Sequence, residues 1–228
     1  MSNDPQDYRF ERKFFITDLS YQEVEHIIRH HPSFLNEIYH KRYINNIYFD
    51  TNDLRYYFDN IDGAADRIKV RIRWYGDLFG EVKKPVLEFK IKKGLVGTKK
   101  QFRLKPFVFQ EDITGQKIQD WLKQADVPDW VKVMFPHLIP TLVNRYGRKY
   151  YQTLDKKYRV TIDDHVTFFK IRPGFNIFSE KETERETIIV ELKYEQQYDA
   201  TAFDISQLFP YRMTKSSKYV NGLDKFMV

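Results

Sequence analysis

The sequence predicts an α+β fold in which about eight antiparallel strands carry one apolar and one charged face, with helices packed on the apolar side. Three observations predict it. Period-two alternation recurs from end to end in runs of ordinary strand length. Helix start signals fall between those runs. Sixteen Tyr and nineteen Phe stand against nine Gly in 228 residues, and aromatic side chains suit a pleated, half-buried surface. With 42% hydrophobic residues the chain can bury a core, and no repeat, low-complexity run or Gly/Ser linker divides it, so one domain over residues 1–228 is expected.

The strand-like runs are residues 8–15, 43–49, 67–75, 86–92, 99–105, 145–151, 157–163 and 188–194. Ser20-x-x-Glu23 is a capping-box pattern opening a helix that carries Val24, Ile27 and Ile28 and stops near Pro32. Thr114 can cap a second helix bearing Ile118, Trp121 and Leu122, and Asp129 after Pro128 can start a short third one before Pro136. Residues 201–209 and 216–227 are both compatible with helix, separated by Pro210.

The run RIKVRIRWY is the most informative. Arg67, Lys69, Arg71 and Arg73 alternate with Ile68, Val70, Ile72 and Trp74, so four cations share one face. Neighbours on that face lie ~7 Å apart and repel by ~0.6 kcal/mol in water, or ~2.4 kcal/mol at an effective dielectric of 20. Such a row either sits in solvent, where cations deter edge pairing, or binds an anion. The pattern recurs with Glu88, Lys90 and Lys92, with Gln101, Arg103 and Lys105, with Arg159, Thr161 and Asp163, with Glu191 and Lys193, and with Arg9, Glu11 and Lys13. An open sheet with a solvated charged face fits. So does a closed eight-stranded barrel, which would gather Lys13, Arg67, Lys69, Arg71, Arg73, Lys90, Arg103, Arg145, Arg159 and Lys193 into a lumen that demands a polyanion. Glu11, Glu88, Asp163 and Glu191 are then candidates to hold a hard cation such as Mg²⁺ or Mn²⁺, which combines carboxylates with phosphate oxygens.

These segments together resemble the VTC domain, the polyphosphate-polymerase domain of the CYTH-like triphosphate tunnel metalloenzyme superfamily. The carriers are FERKF at 10–14, IYFDT at 47–51, IKVRIRWYG at 68–76, LEFK at 87–90, RYGRKYY at 145–151, RVTIDD at 159–164, VELKY at 190–194 and KSSKY at 215–219. The resemblance implies an antiparallel β-tunnel with helices outside and a basic lining for ATP, triphosphate or polyphosphate. It also implies a divalent metal, Mn or Mg, held partly by glutamate, and transfer of the ATP γ-phosphate to a polyphosphate chain. On this reading Lys13, Arg71, Arg73 and Lys90 serve the transfer, and Arg67, Lys69, Arg103, Arg145, Arg159, Lys193 and Lys218 bind substrate. Glu191, Glu11 and Glu88 hold the metal. Where hydrolytic members carry an E-x-E-x-K strand, this chain has Arg9, Glu11 and Lys13, which disfavours a two-metal triphosphatase. A triphosphate hydrolase on the same scaffold and a non-catalytic polyanion-binding module are the alternatives.

Several classes are excluded. Without cysteine there is no disulfide scaffold, thiolate nucleophile or Cys-ligated metal. The six histidines lack metal-ligand spacing, and His30 and His31 suit a helix C-terminus. GLVGTKK at 94–100 lacks the phosphate-loop spacing and reads as a hairpin turn, with Lys99 and Lys100 able to reach the mouth of a tunnel. By strict alternation Arg145 faces the other cations and Arg148 faces away unless Gly147 marks a bulge, so Arg145 ranks first. Aromatics alternate away from most cations, which counts against a nucleic-acid polymer as ligand. The start MSNDPQDYRFERK has no apolar signal core and no window approaches a spanning length, so a cytoplasmic protein is expected and any membrane coupling falls to a separate partner.

Overall fold

Each period-two run forms a strand. The computed structural model describes residues 9–94, 96–172 and 178–227, with the backbone alone for Arg9 and Val96. Its elements are β1 (Arg9–Ile16), α1 (Tyr21–Arg29), β2 (Asn36–Asp50), α2 (Arg55–Ile61), β3 (Arg67–Tyr75), β4 (Gly80–Val82), β5 (Val86–Lys93), β6 (Val96–Arg103) and β7 (Phe107–Phe109). They continue with α3 (Gly115–Lys123), α4 (Asp129–Met134), β8 (Ile139–Gln152), β9 (Arg159–Lys170), β10 (Lys181–Glu184), β11 (Ile188–Glu195), α5 (Asp199–Gln207) and α6 (Lys218–Asp224).

Among the described residues the hydrogen-bonded order is β1-β11-β9-β8-β2-β3-β5-β6, with β10 beside β9 as a ninth strand, while β4 and β7 pair separately. This corrects the closed eight-stranded barrel. The order has two ends, at β1 and β6, and does not close. Closure depends on strand tilt and stagger summed around a ring, and side-chain alternation reports neither.

The chain forms two compact units. The first comprises Met1–Arg42, Tyr146–Val166 and Thr183–Ser216, and the second comprises Tyr43–Arg145, Thr167–Glu182 and Ser217–Val228. Each has its own core. In the first, Phe14 and Ile16 of β1, Val160 and Ile162 of β9 and Val190 and Leu192 of β11 pack with Val24 and Ile28 of α1 and Ile205 of α5. In the second, Val70, Ile72 and Trp74 of β3 and Leu87 and Phe89 of β5 pack with Ile118 and Leu122 of α3 and Val131 of α4. Each such side chain contributes about 1.5–3 kcal/mol when fully buried. The helices therefore cover the apolar strand faces, as alternation predicts.

Local signals act where the sequence places them. In α1, Ser20 Oγ accepts from the Glu23 amide at 3.3 Å, and Glu23 Oε2 accepts from the Ser20 amide at 2.7 Å, closing the capping box. Thr114 caps α3 through the Lys117 amide at 3.3 Å. Gly94, at φ +58°, directly follows Lys93, whose backbone pairs with Val96 of β6, and this left-handed position favours glycine. Leu95, within the GLVGTKK segment, lies outside the described residues. Asp50 accepts the amides of Thr51 and Tyr56 at 2.8 Å and of Tyr57 at 2.9 Å, consistent with a turn role, and it fastens α2, which the sequence does not signal.

The helix-facing side of the first unit also carries charge. Glu25 Oε1 accepts from Lys149 Nζ at 2.7 Å and from Arg29 Nη2 and the Tyr151 hydroxyl at 2.8 Å. Burial works to raise the Glu25 pKa, but the bonds from Lys149, Arg29 and Tyr151 prevail and hold it at about 2. Because the folded value lies below the usual 4.5, this carboxylate stabilises the fold above that pH, and its contribution is lost as pH falls toward 2. Glu25→Gln is expected to cost about 2 kcal/mol near neutral pH, since charge-assisted bonds are lost. Urea denaturation at pH 7 and pH 3 checks it, because the gap between variant and wild type must narrow in acid.

Candidate functional site

The charged strand faces build two clusters, one in each unit. In the second unit β3, β5 and β6 run antiparallel in a register that sets Lys69 opposite Lys90 and Lys90 opposite Lys99. The next row is Arg71, Glu88 and Gln101. Like charges directly opposite destabilise a sheet, so these strands hold a concentrated positive field. Glu88 is the one carboxylate on this face of the three strands among the described residues, and it is only 2% exposed. Its Oε2 lies 2.6 Å from Arg71 Nη2 and 3.8 Å from Arg73 Nη1, and its Oε1 accepts from Lys99 and Gln101 at 2.7 Å each. Burial works to raise the Glu88 pKa, but Arg71, Arg73 and Lys99 hold it far below the carboxylate range. Burial also pushes Lys99 down to about 8 against the pull of Glu88, aided by Arg73 and Arg71.

Further polar groups aim these cations. Arg73 Nε donates to Asn46 Oδ1 at 3.0 Å, and Asn46 Nδ2 donates to Asn144 Oδ1 at 2.8 Å. Arg71 Nη1 donates to the Tyr48 hydroxyl at 3.4 Å, and Tyr48 stacks on Tyr219 of α6 with ring centroids 5.1 Å apart. Burial works to raise the Tyr48 pKa, but Arg71, Arg73 and Lys218 overcome it and leave the phenol below its ordinary value. Lys69 Nζ donates to Ser217 Oγ at 2.8 Å, and Arg67 Nη1 donates to the Ala64 carbonyl at 2.9 Å. Lys90 and Arg103 are exposed.

In the first unit the rows are Lys13–Glu191–Thr161 and Glu11–Lys193–Arg159, an arrangement of mixed sign. Glu191 is 4% exposed and lies 2.5 Å from Lys193 Nζ, 3.1 Å from Arg148 Nη2 and 3.5 Å from Lys13 Nζ. Burial works against charge on Lys13, but Glu11 and Glu191 outweigh it and raise its pKa. Burial, with Arg148 adding repulsion, lowers Lys193. Arg148 grips Asp163 with Nε and Nη2, so Asp163 is already bidentately engaged. Arg159 Nε and Thr161 Oγ1 are buried without a hydrogen-bond partner and share the face of Glu191 and Lys193.

Neither cluster is a solvated face, since Glu88, Asp163, Glu191 and Arg148 are all buried. The structure brings Arg71, Arg73 and Glu88 together, and likewise Lys13, Glu11, Glu191, Lys193 and Arg159. Arg145 is placed differently: it donates to Asn45 Oδ1 and the Gly76 carbonyl and lies over the Tyr43 ring. Of the two arginines in RYGRKYY, it is Arg148, which alternation turns away, that is set against carboxylates. The side chain of Arg9 lies outside the described residues. Tyr48 and Ser217 fall within IYFDT and KSSKY but carry no assigned role in the sequence, and Asn46 and Asn144 are unmarked there, although Asn46 and Tyr48 alternate with Ile47 and Phe49 and are legible as a polar strand face.

The donor set can be tested against a metal. Lys13 Nζ is 3.1 Å from Glu11 Oε1 and 3.5 Å from Glu191 Oε1, so two carboxylates converge on one cationic position. Hard divalent ions suit such oxygens when substrate phosphates supply the remainder. Among the described residues no group of three His, Cys, Asp or Glu is arranged to hold a metal. Glu88 belongs to the other cluster, wrapped by cations, and fits a role in aiming Arg71 and Arg73.

The sequence model of the VTC domain matches residues 8–227. The chain belongs to the VTC domain family. This VTC domain also shares its fold with solved structures of low identity. A candidate adenylate cyclase from Vibrio parahaemolyticus aligns at TM-score 0.54 and 9% identity, over 96% of this chain and 99% of that one. A protein from Pyrococcus horikoshii OT3 aligns at 0.53 and 14%, over 96% and 99%. A candidate adenylyl cyclase from Hippeastrum, described as having a dominant triphosphatase activity, aligns at 0.52 and 13%, over 95% and 96%. No curated protein matches the chain. Among the described residues no helix is long and apolar enough to cross a membrane.

Proposed function

We propose that this VTC domain is a metal-dependent, cytoplasmic polyphosphate polymerase, one domain over its length, that transfers the γ-phosphate of ATP to a polyphosphate chain. The observation that carries the proposal is the β3–β5–β6 face, where Arg67, Lys69, Arg71, Arg73, Lys90 and Lys99 share one side with Glu88, the one carboxylate there among the described residues, which Arg71, Arg73 and Lys99 enclose. Phosphoryl transfer needs mainly positioning and charge stabilisation, and fixed guanidinium and ammonium groups supply both. A terminal oxygen of the chain attacks the γ-phosphorus, the bond to the β-phosphate oxygen breaks, and ADP leaves. Arg71 and Arg73 clamp phosphate oxygens, with Glu88, Asn46 and Tyr48 aiming their planes. In the second unit Lys69, Lys90, Arg103 and Lys218 add to the field that retains the polyanion, and in the first unit Lys13, Arg159 and Lys193 form a basic set of their own for phosphate. Within the first unit, Glu11 and Glu191 would hold a divalent metal, which would supply charge neutralisation to phosphate oxygens.

The fold neighbour with triphosphatase activity favours one second reading, hydrolysis of triphosphate on the same scaffold. Incubation with ATP and Mn²⁺, followed by electrophoretic sizing of the products, separates them. Long acid-labile polymer supports the polymerase, and orthophosphate alone overturns it.

Two binding results are expected from the same face. Arg71→Ala and Arg73→Ala each remove a charge-assisted contact of ~1.5–3 kcal/mol and should weaken tripolyphosphate binding at least tenfold by calorimetry. Unchanged affinity would remove these arginines from the site. Lys99, with its pKa near 8, is charged below that pH and neutral above it. Affinity for tripolyphosphate should therefore fall as pH rises through about 8, and Lys99→Arg should flatten that fall. Identical pH profiles for variant and wild type would exclude Lys99 as its source.

A further inference from the structure

The cation row on β3 ends in an aromatic residue. Alternation that puts Arg67, Lys69, Arg71 and Arg73 on one face puts Tyr75 on the same face, while Trp74 turns into the core at 1% exposure. Tyr75 is 48% exposed, although most aromatics of this chain's strands point away from the cations. Its backbone pairs with Ile44 of β2, two residues beyond the Asn46–Arg73 pair.

The chain leaving Tyr75 is fastened. Gly76, at φ +97°, donates its amide to the Tyr43 carbonyl at 3.1 Å. The Gly76 carbonyl accepts from Arg145 Nη1 at 3.0 Å and Asn45 Nδ2 at 3.2 Å. The Asp77 carbonyl accepts from Trp74 Nε1 at 3.0 Å and Asn45 Nδ2 at 3.2 Å. The backbone that carries the ring is thus braced on both sides of its turn, which limits the ordering a ligand must impose.

We propose that Tyr75 is the stacking platform for the nucleobase of a nucleoside triphosphate whose phosphates lie along Arg73 and Arg71. Along a strand Tyr75 stands ~7 Å from Arg73 and ~13 Å from Arg71, so one extended ligand meets a π-face at one end and two guanidinium groups at the other. Stacking on an aromatic ring tolerates any base, so this platform distinguishes nucleotides from inorganic triphosphate rather than one base from another. The inference rests on the nucleotide-using reading above and gives it a direction, with the base at the Gly76 end of β3 and the terminal phosphate toward Lys69.

Calorimetry without metal, using ATP and inorganic tripolyphosphate on wild type, Tyr75→Ala and Tyr75→Phe, tests it. Tyr75→Ala should weaken ATP about tenfold and leave tripolyphosphate within about twofold, because only the base loses its partner. Tyr75→Phe keeps the π-face and should match wild type for both ligands. If Tyr75→Ala leaves ATP unchanged, or weakens both ligands equally, the stacking role is overturned while the phosphate site stands. A wild type that binds neither anion overturns the phosphate reading and this inference together.

Discussion

Arg148→Met should lower the stability of this VTC domain by about 3–5 kcal/mol, the usual consequence of removing one partner from a buried ion pair. Arg148 is 6% exposed and holds both oxygens of Asp163, which is fully buried. Glu191 keeps Lys13 and Lys193 when the guanidinium is gone, but Asp163 loses the guanidinium that meets both of its oxygens. The variant therefore carries its own pH signature. A buried carboxyl that loses an adjacent guanidinium has its folded pKa raised, so the penalty of the substitution is absent at low pH, where the carboxyl is protonated, and grows as pH rises. Urea denaturation should show a larger deficit at pH 8 than at pH 4. Replacing both partners, as Arg148→Met with Asp163→Leu, should recover at least half of the loss, because no buried carboxylate is then left facing the missing guanidinium. A single variant within about 1 kcal/mol of wild type would mean that the pair is not desolvated as the burial implies.

The same arginine shows where sequence reading succeeds and fails. In β3 every apolar residue from Ile68 to Trp74 faces the helices, so alternation assigns the four cations to the other face without ambiguity. In RYGRKYY tyrosines stand at both parities, and the odd positions Arg145, Gly147 and Lys149 look like the charged face. They are not, because the helix side of this strand is itself polar. Lys149 and Tyr151 reach Glu25 of α1, and Gly147 lies beneath the Lys41–Asp164 pair, where a Cβ would strike both side chains. Alternation identifies faces only where one of them is wholly apolar. Pairing order is hidden for a related reason: the eight runs are all visible, but which strand neighbours which, and whether the order closes, is set by contacts distant in sequence. Short pieces such as β4, β7 and β10 carry too few residues for a period to emerge. The acid partners follow the same rule. Glu88, Asp163 and Glu191 are all visible as acids on charged faces, but only the register shows that Glu88 is enclosed by Arg71, Arg73 and Lys99 while Glu191 shares Lys13 with Glu11.

That sharing makes Glu191→Gln the most informative single change to catalysis. The substitution keeps shape and removes the negative charge on which Lys13, Lys193 and Arg148 converge. If Glu191 and Glu11 hold the metal, turnover of ATP should fall at least ~100-fold, a barrier increase of ~2.7 kcal/mol, with the Mn²⁺ midpoint displaced upward. Tripolyphosphate affinity without metal should hold or rise, since three cations lose an internal competitor for phosphate oxygens. A purely structural Glu191 predicts another outcome: lower stability, lower turnover in proportion to the unfolded fraction, and an unmoved metal midpoint. The midpoint therefore decides between them independently of how much protein folds. Raising the melting temperature of the variant with tripolyphosphate confirms that the arginine face is intact before turnover is compared. Wild-type turnover at the wild-type Mn²⁺ midpoint would take Glu191 out of the catalytic site and leave the β3 arginines as the only support for the transferase reading.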